Sequence, residues 1–241
     1  MEIYNETAKT KTGELRVTRS IGALLVKMTQ PFSALTNETV TIFLERANGD
    51  NTELMTDMPL SALIAASTAG SPAVFEDAAG LTALCEICEE GGIALMENES
   101  IKIKMDGLKA AVTYQLNGIE YPSTANTVVS LDRKTILTEE SQRRFDVTDA
   151  ELMLIEGVDE ILEMNVAFAN GTTCKYIPEE LKILSRDFDP VKVITIGVTP
   201  STAYDLTGLV TFPLIAVLNV DIKKKVTGAV KLYLKNDKKQ F

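Results

Sequence analysis

The stretch TVTIFLERANGDNTEL, residues 39–54, carries three alternating apolar side chains, Val40, Ile42 and Leu44. The pair Asn48-Gly49 then breaks the run, and a second short extended piece begins. Alternation gives a strand one buried face, and Asn-Gly tolerates the positive φ of a tight turn, so the stretch reads as a β-hairpin. A similar pattern returns at residues 161–177, ILEMNVAFANGTTCKYI, where Asn170-Gly171 stands 122 positions after Asn48-Gly49.

Further landmarks recur in the same order. Pro59 and Pro178, 119 apart, each close the hairpin and precede a short run with helical spacing. Leu60, Leu63 and Ile64 form the stripe of the first run, Leu181 and Leu184 that of the second. Proline suits a first helical turn. Residues 100–118 and 219–237 each alternate, break and alternate again. Ile103-Lys104 matches Ile222-Lys223, and Val112, Tyr114 and Leu116 match Val230, Leu232 and Leu234. One hairpin is common in β-proteins, but four landmarks in order at offsets of 118 to 122 point to an internal duplication. The boundary falls in the polar, then charged stretch 121–145, which divides the chain into 1–126, with an N-terminal arm, and 127–241.

Strands are predicted near 15–18, 23–28, 40–46, 52–55, 92–96, 100–105 and 111–116. In the second half they are predicted near 150–155, 161–168, 173–177, 191–198, 209–212, 214–222 and 229–234. Short helices are predicted at 60–67, 81–90 and 179–185. About seven strands per half, mostly antiparallel, define an all-β fold of two tandem jelly-roll β-sandwiches with short helices in the connections.

Composition narrows the function. The chain has 241 residues, 45% of them apolar, enough for a sizeable core. Its net charge is −10. Residues 1–124 hold 9 basic and 17 acidic side chains and the remainder 15 and 17. Neither half is basic, which argues against general nucleic-acid binding. No apolar run approaches a membrane span, and the N-terminus lacks an apolar signal core, so a cytosolic origin is expected. Without His there is no Ser-His-Asp or Cys-His site and no His-ligated metal. Without Trp the usual stacking platforms are missing. Neither a P-loop nor a dinucleotide-binding glycine pattern occurs. No enzyme, cofactor or metal site is expected.

Several residues invite a sharper reading. Cys85 and Cys88 form a C-x-x-C, but zinc needs four ligands and the chain has one further Cys, Cys174. Packing on one face of the predicted helix 81–90 is the simpler role. Glu86, Glu89 and Glu90 could hold a cation at a subunit contact, but read first as a solvated helix face. Glu179 and Glu180 suit a helix N-terminus. Asp187 and Asp189 read as a helix end and turn. Lys223, Lys224 and Lys225, with Lys238 and Lys239 in the tail, are the basic clusters of an acidic chain. Lysine on edge strands blocks unwanted pairing, and a role against anionic lipid is the sharper alternative.

A duplicated jelly-roll chain without catalytic groups resembles the double jelly-roll major capsid proteins of icosahedral, often membrane-containing viruses. At this length it is similar to the small coat proteins of lipid-containing bacteriophages. The resemblance spans roughly residues 15–234 and rests on the repeat and on the order strand, Asn-Gly hairpin, strand, helix after proline, terminal strand pair. It implies homotrimers with a pseudo-hexagonal outline, contacts to neighbouring trimers and to a vertex (penton) protein, and a place in the virion after assembly in the host cytoplasm. It also implies an internal lipid membrane as a partner, faced by Lys223, Lys224, Lys225, Lys238 and Lys239, and no specific nucleic acid. The alternatives are a sliding-clamp-like ring around DNA, disfavoured because the predicted helices 60–67 and 81–90 lack basic residues, and a phage tail or baseplate β-module.

Overall fold

The computed structural model describes residues 1–69, 74–125, 127–185, the backbone of 193–194, and 209–239. The first half contributes β1 (Glu2–Glu6), β2 (Leu15–Val17), β3 (Ile21–Met28), β4 (Thr39–Glu45), β5 (Thr52–Pro59), α1 (Leu60–Thr68), β6 (Val74–Asp77), β7 (Gly80–Glu86), β8 (Ser100–Asp106) and β9 (Tyr114–Glu120). The second contributes β10 (Thr127–Ile136), β11 (Gln142–Asp146), β12 (Ala150–Glu156), β13 (Ile161–Phe168), β14 (Thr173–Tyr176), α2 (Pro178–Ser185), β15 (Val193–Ile194), β16 (Leu209–Pro213), β17 (Val217–Lys224) and β18 (Val230–Lys239).

The described strands form four sheets: β1-β9-β3-β7-β6-β15, β2-β8-β4-β5, β10-β18-β12-β16 and β11-β17-β13-β14. Setting aside β6 and β15, each half places its first, eighth, third and sixth strands in one sheet and its second, seventh, fourth and fifth in the other. That is the jelly-roll arrangement, made twice. In both halves the helix lies between the fifth and sixth strands, starting directly after Pro59 in the first and on Pro178 in the second. β15 reaches from the second half to pair in parallel with β6 of the first.

The two Asn-Gly turns match in detail. Gly49 and Gly171 have φ of 86° and 84°. Their N–H groups donate to Arg46 O and Phe168 O, both at 3.0 Å. The Asn48 and Asn170 side chains each accept from the backbone two residues on, again at 3.0 Å. The side-chain oxygen stands in for a backbone acceptor, and glycine takes the left-handed conformation at no steric cost.

Several elements differ from those predicted. Residues 81–90 are not a helix: Leu81, Ala83 and Cys85 are buried along β7 while Thr82, Leu84 and Glu86 face outward. The period is two, and β3 and β6 hydrogen-bond to either side of β7. Residues 92–96 do not form a strand. Gly92 instead anchors the connection between the halves, donating to Ser123 O and accepting from Ala125 N. β1, β6, β10 and β11 were not expected as strands. β10, ten residues long, occupies much of the stretch read as a polar connection. Of the predicted strand 191–198 only Val193–Ile194 lies within the described residues.

Two apolar clusters form the interior. The first gathers the apolar faces of β1 to β9 and all of α1's large side chains. The second gathers the inner faces of the last sandwich, including Met153, Ile155, Val166, Leu181, Phe212, Ile222 and Leu232. Leu131, Leu154 and Tyr233 belong to the first cluster although they lie in the second half. The sheet β10-β18-β12-β16 is therefore buried on both faces. This explains the unbroken run Leu152-Met153-Leu154-Ile155 in β12, where a strand solvated on one face would alternate.

Candidate assembly surfaces

The junction between the halves is built from α1 and strands of both sandwiches. α1, LSALIAAST, is buried nearly all round, as its apolar composition demands. One side packs on β7 and the other on β12 of the second half. Beside it the edge strands β5 and β10 run next to each other. Arg133 Nη1 donates to Asp57 O at 3.4 Å, and Lys238 Nζ to Glu53 O at 3.3 Å. Val129 N donates to Ile87 O at 3.0 Å, and Cys88 Sγ to Thr127 O at 3.0 Å. Each large apolar side chain closed into this contact contributes about 1.5–3 kcal/mol.

The cysteines fall into place here. Cys85 lies in the first core, where burial pushes its thiol up to about 12. Cys88 is buried at the junction and Cys174 is exposed on β14. The packing role expected for the C-x-x-C pair stands, but on a strand and the turn after it.

The acidic residues near Cys88 are brought into company that spacing alone did not reveal. Glu89 meets Glu151 at the start of β12 and Asp237 near the end of β18, with carboxylate oxygens within 4.8 Å of one another. Lys235 lies among them, 3.1 Å from Glu89 and 4.0 Å from Glu151. One cation faces three carboxyls. Burial, together with the charges of Glu89 and Glu151 and against the pull of Lys235, raises Asp237 to about 7. Glu86 and Glu90 are not part of this group.

A second buried polar group lies in the first sandwich. Glu38 accepts from Gln30 Nε2 at 2.8 Å, Tyr114 OH at 2.9 Å and Thr36 N at 2.8 Å, with Lys109 Nζ at 3.4 Å. Burial alone would raise its carboxyl, but these donors outweigh it and hold it at about 2. The sequence offered Glu89 as a candidate, but not its partners Glu151, Lys235 and Asp237, nor Tyr114 and Lys109 beside Glu38, because these lie far away in the chain.

The five lysines do not share a face. Lys224 is 2% exposed, with Nζ donating to Thr138 O and Lys225 O at 3.1 and 2.6 Å. Lys223 pairs with Glu163 at 2.6 Å, and Lys225 donates to Asp159 O at 2.7 Å. Lys238 and Lys239 lie at the far end of β18, whose ten residues span about 30 Å. Glu179 and Glu180 stand in the first turn of α2, as expected. Asp187 and Asp189 lie outside the described residues. α1 is buried and α2 carries one lysine, so neither presents a basic face as a clamp helix would.

Among solved structures, the chain is similar to the major capsid protein P2 of bacteriophage PM2. The TM-score is 0.60 at 8% identity, over 98% of this chain and 94% of that one. A chain of the Sulfolobus turreted icosahedral virus aligns at 0.49 and 10% identity, over 98% and 90%. The mavirus major capsid protein aligns at 0.38 and 7%, over 99% and 86%. No protein-family model and no curated protein matches the chain. The first likeness establishes a shared double jelly-roll fold along nearly the whole chain.

Proposed function

We propose that this chain is the major coat subunit of an icosahedral virus shell. The observation that carries the reading is the duplication: eight jelly-roll strands and a helix at the same station, made twice in one chain, over the length it shares with the PM2 capsid protein. Residues 1–126 and 127–241 act as two upright sandwiches joined along β5 and β10. Three such chains give six sandwiches around a three-fold axis, an outline that packs hexagonally. The role is structural, and the chain's own copies are its main partners.

Finer features follow from that role. Hexagonal tiles alone cannot close a shell, so a vertex protein at five-fold positions is a second partner. The product resides in the virion, assembled in the host cytoplasm. An enclosed lipid membrane would meet one end of the upright sandwiches. Lys238 and Lys239 lie at one end of β18 in no ion pair among the described residues, whereas at the other end Lys223 pairs with Glu163, Lys224 is buried and Lys225 donates to Asp159 O.

Electron microscopy of the purified protein tests the reading. Hexagonal tiles or closed shells are the expected result. Uniformly single two-lobed particles at high protein concentration would count against it.

A further inference from the structure

The chain contains three Asn-Gly pairs, at 48–49, 117–118 and 170–171. Such a pair carries a latent reaction of its own. The side-chain amide carbon is an electrophile, one bond short of a five-membered ring with the backbone nitrogen of the next residue. Glycine has no Cβ to shield that nitrogen. The fold treats the three pairs differently. Asn117 lies within β9, paired with Glu2 on one side and Leu25 on the other. Gly118 is buried, and its N–H donates to Met1 O at 2.8 Å. Gly49 and Gly171 instead stand exposed at hairpin tips, with open space where a Cβ would be.

The two tips share a backbone but not the partners of the asparagine amide. Asn48 is held at both ends by one residue: its Oδ1 accepts from Asp50 N and its Nδ2 donates to Asp50 Oδ2, both at 3.0 Å. The Asp50 carboxylate thus ties down the nitrogen that would have to leave, and it opposes negative charge developing on Gly49 N. Asn170 has no such clamp. Its Oδ1 accepts from Thr172 N at 3.0 Å and from Thr172 Oγ1 at 2.7 Å, and its Nδ2 has no partner among the described residues. Two donors on a carbonyl oxygen stabilise the oxyanion that forms when the carbon is attacked.

The strands behind the tips differ in the same direction. β5 runs beside β10, with Lys238 Nζ reaching Glu53 O at 3.3 Å. β14 is the last strand of its sheet among the described residues, and Thr173, Cys174 and Lys175 are exposed. A tip on an uncovered edge opens more readily than one on a covered edge. Opening is what releases Gly171 N from Phe168 O.

We propose that Asn170 is a site of self-modification, where the side-chain amide is converted with water to aspartate and isoaspartate. Gly171 N gives its proton to solvent hydroxide and forms a bond to Asn170 Cγ. The bond from Cγ to Nδ2 then breaks, Nδ2 leaves as ammonia, and a cyclic imide remains. Water adds to either carbonyl of the imide and opens the ring. One water is consumed and one ammonia released, and nothing is oxidised or reduced. Both products place a new carboxylate on the exposed tip. The isoaspartyl form also adds a methylene to the backbone between residues 170 and 171, which breaks the turn that Asn170 makes with Thr172. Asn48 reacts more slowly, and Asn117 is protected while the chain is folded. None of this depends on the coat-subunit reading.

The test is to incubate the intact protein at pH 8, digest it, weigh the three fragments and label isoaspartyl carboxyls by enzymatic methylation. The fragment bearing Asn170 should exchange NH for O in mass and accept label several-fold faster than the fragment bearing Asn48. The fragment bearing Asn117 should stay unchanged. In urea the three rates should draw together, because the differences belong to the fold. Thr172→Val removes one donor at an exposed position and should slow the conversion of Asn170 several-fold in the folded protein. Asn48 converting as fast as Asn170 in the folded protein, no conversion of Asn170, or a T172V rate equal to or above that of the wild type would each overturn the proposal.

Discussion

α1 and α2 occupy the same station in two copies of one topology, and they differ in nearly every side chain. α1 has no charged residue and is buried on all sides. α2 buries Leu181 and Ser185 and leaves Glu179, Glu180, Lys182 and Ile183 outside. The contrast shows what duplication preserves. Turns, prolines and strand order are kept, because they set the path of the chain. Surface chemistry diverges, because α1 is covered by the second half whereas most of α2 faces outward.

The sharpest way to break this comparison is to truncate one isoleucine from each helix. Ile64→Ala opens a cavity between the first core and the second half, and should cost about 3 kcal/mol in urea unfolding. Ile183→Ala should change the stability of the dissociated chain by less than about 0.5 kcal/mol. Similar losses for both would mean that the two helices do not differ in environment as described.

The buried polar groups give the next effects. Glu38→Ala strips the carboxylate from Gln30, Tyr114 and Lys109 and should cost on the order of 3 kcal/mol at neutral pH. Its folded pKa lies below the ordinary glutamate value, so its contribution is present above about 4.5 and is lost as the pH falls towards about 2. The variant should therefore show a shallower acid limb than the wild type over that window. Equal acid limbs would contradict the account of Glu38.

Asp237 at the junction carries the opposite sign. Its folded pKa is raised to about 7, so ionising it costs stability as pH rises from its ordinary value through 7. Asp237→Asn should raise the thermal midpoint at pH 8 and leave it nearly unchanged at pH 3. A lowered midpoint at pH 8 would show that the carboxylate is needed there, against the crowding by Glu89 and Glu151.

The smallest expected effect concerns Lys238 and Lys239. Lysine near an anionic surface contributes about 1 kcal/mol, weakened by salt. Replacing both with Gln should reduce co-flotation with anionic vesicles at low salt, whereas Lys223→Gln and Lys225→Gln should not. Equal flotation of all variants would remove the lipid contact from this end.

Much of the fold was legible because the turn chemistry is local. Asn48-Gly49, Asn170-Gly171, Pro59 and Pro178 announce hairpins and helix starts within a few residues, and the structure keeps all four. β7 was misread because Leu81, Leu84, Cys85 and Cys88 also satisfy a helical stripe, and only pairing with β3 and β6 decides between the periods. β10 was missed because Ser130, Asp132, Arg133 and Lys134 break its apolar run, while its pairing with β18 over all ten residues holds it as a strand. The junction could not be read from local pattern at all. It depends on which half covers which sheet, and its charged members, Glu89, Glu151, Lys235 and Asp237, come from three separate parts of the chain.

The central claim is that two unlike jelly rolls in one chain make a three-fold, pseudo-hexagonal tile. Light scattering of the purified protein coupled to size-exclusion chromatography tests it most directly. The account predicts a species of three times the chain mass, unchanged on dilution well below the loading concentration. A stable monomer, or a dimer that does not proceed to a trimer, would contradict it.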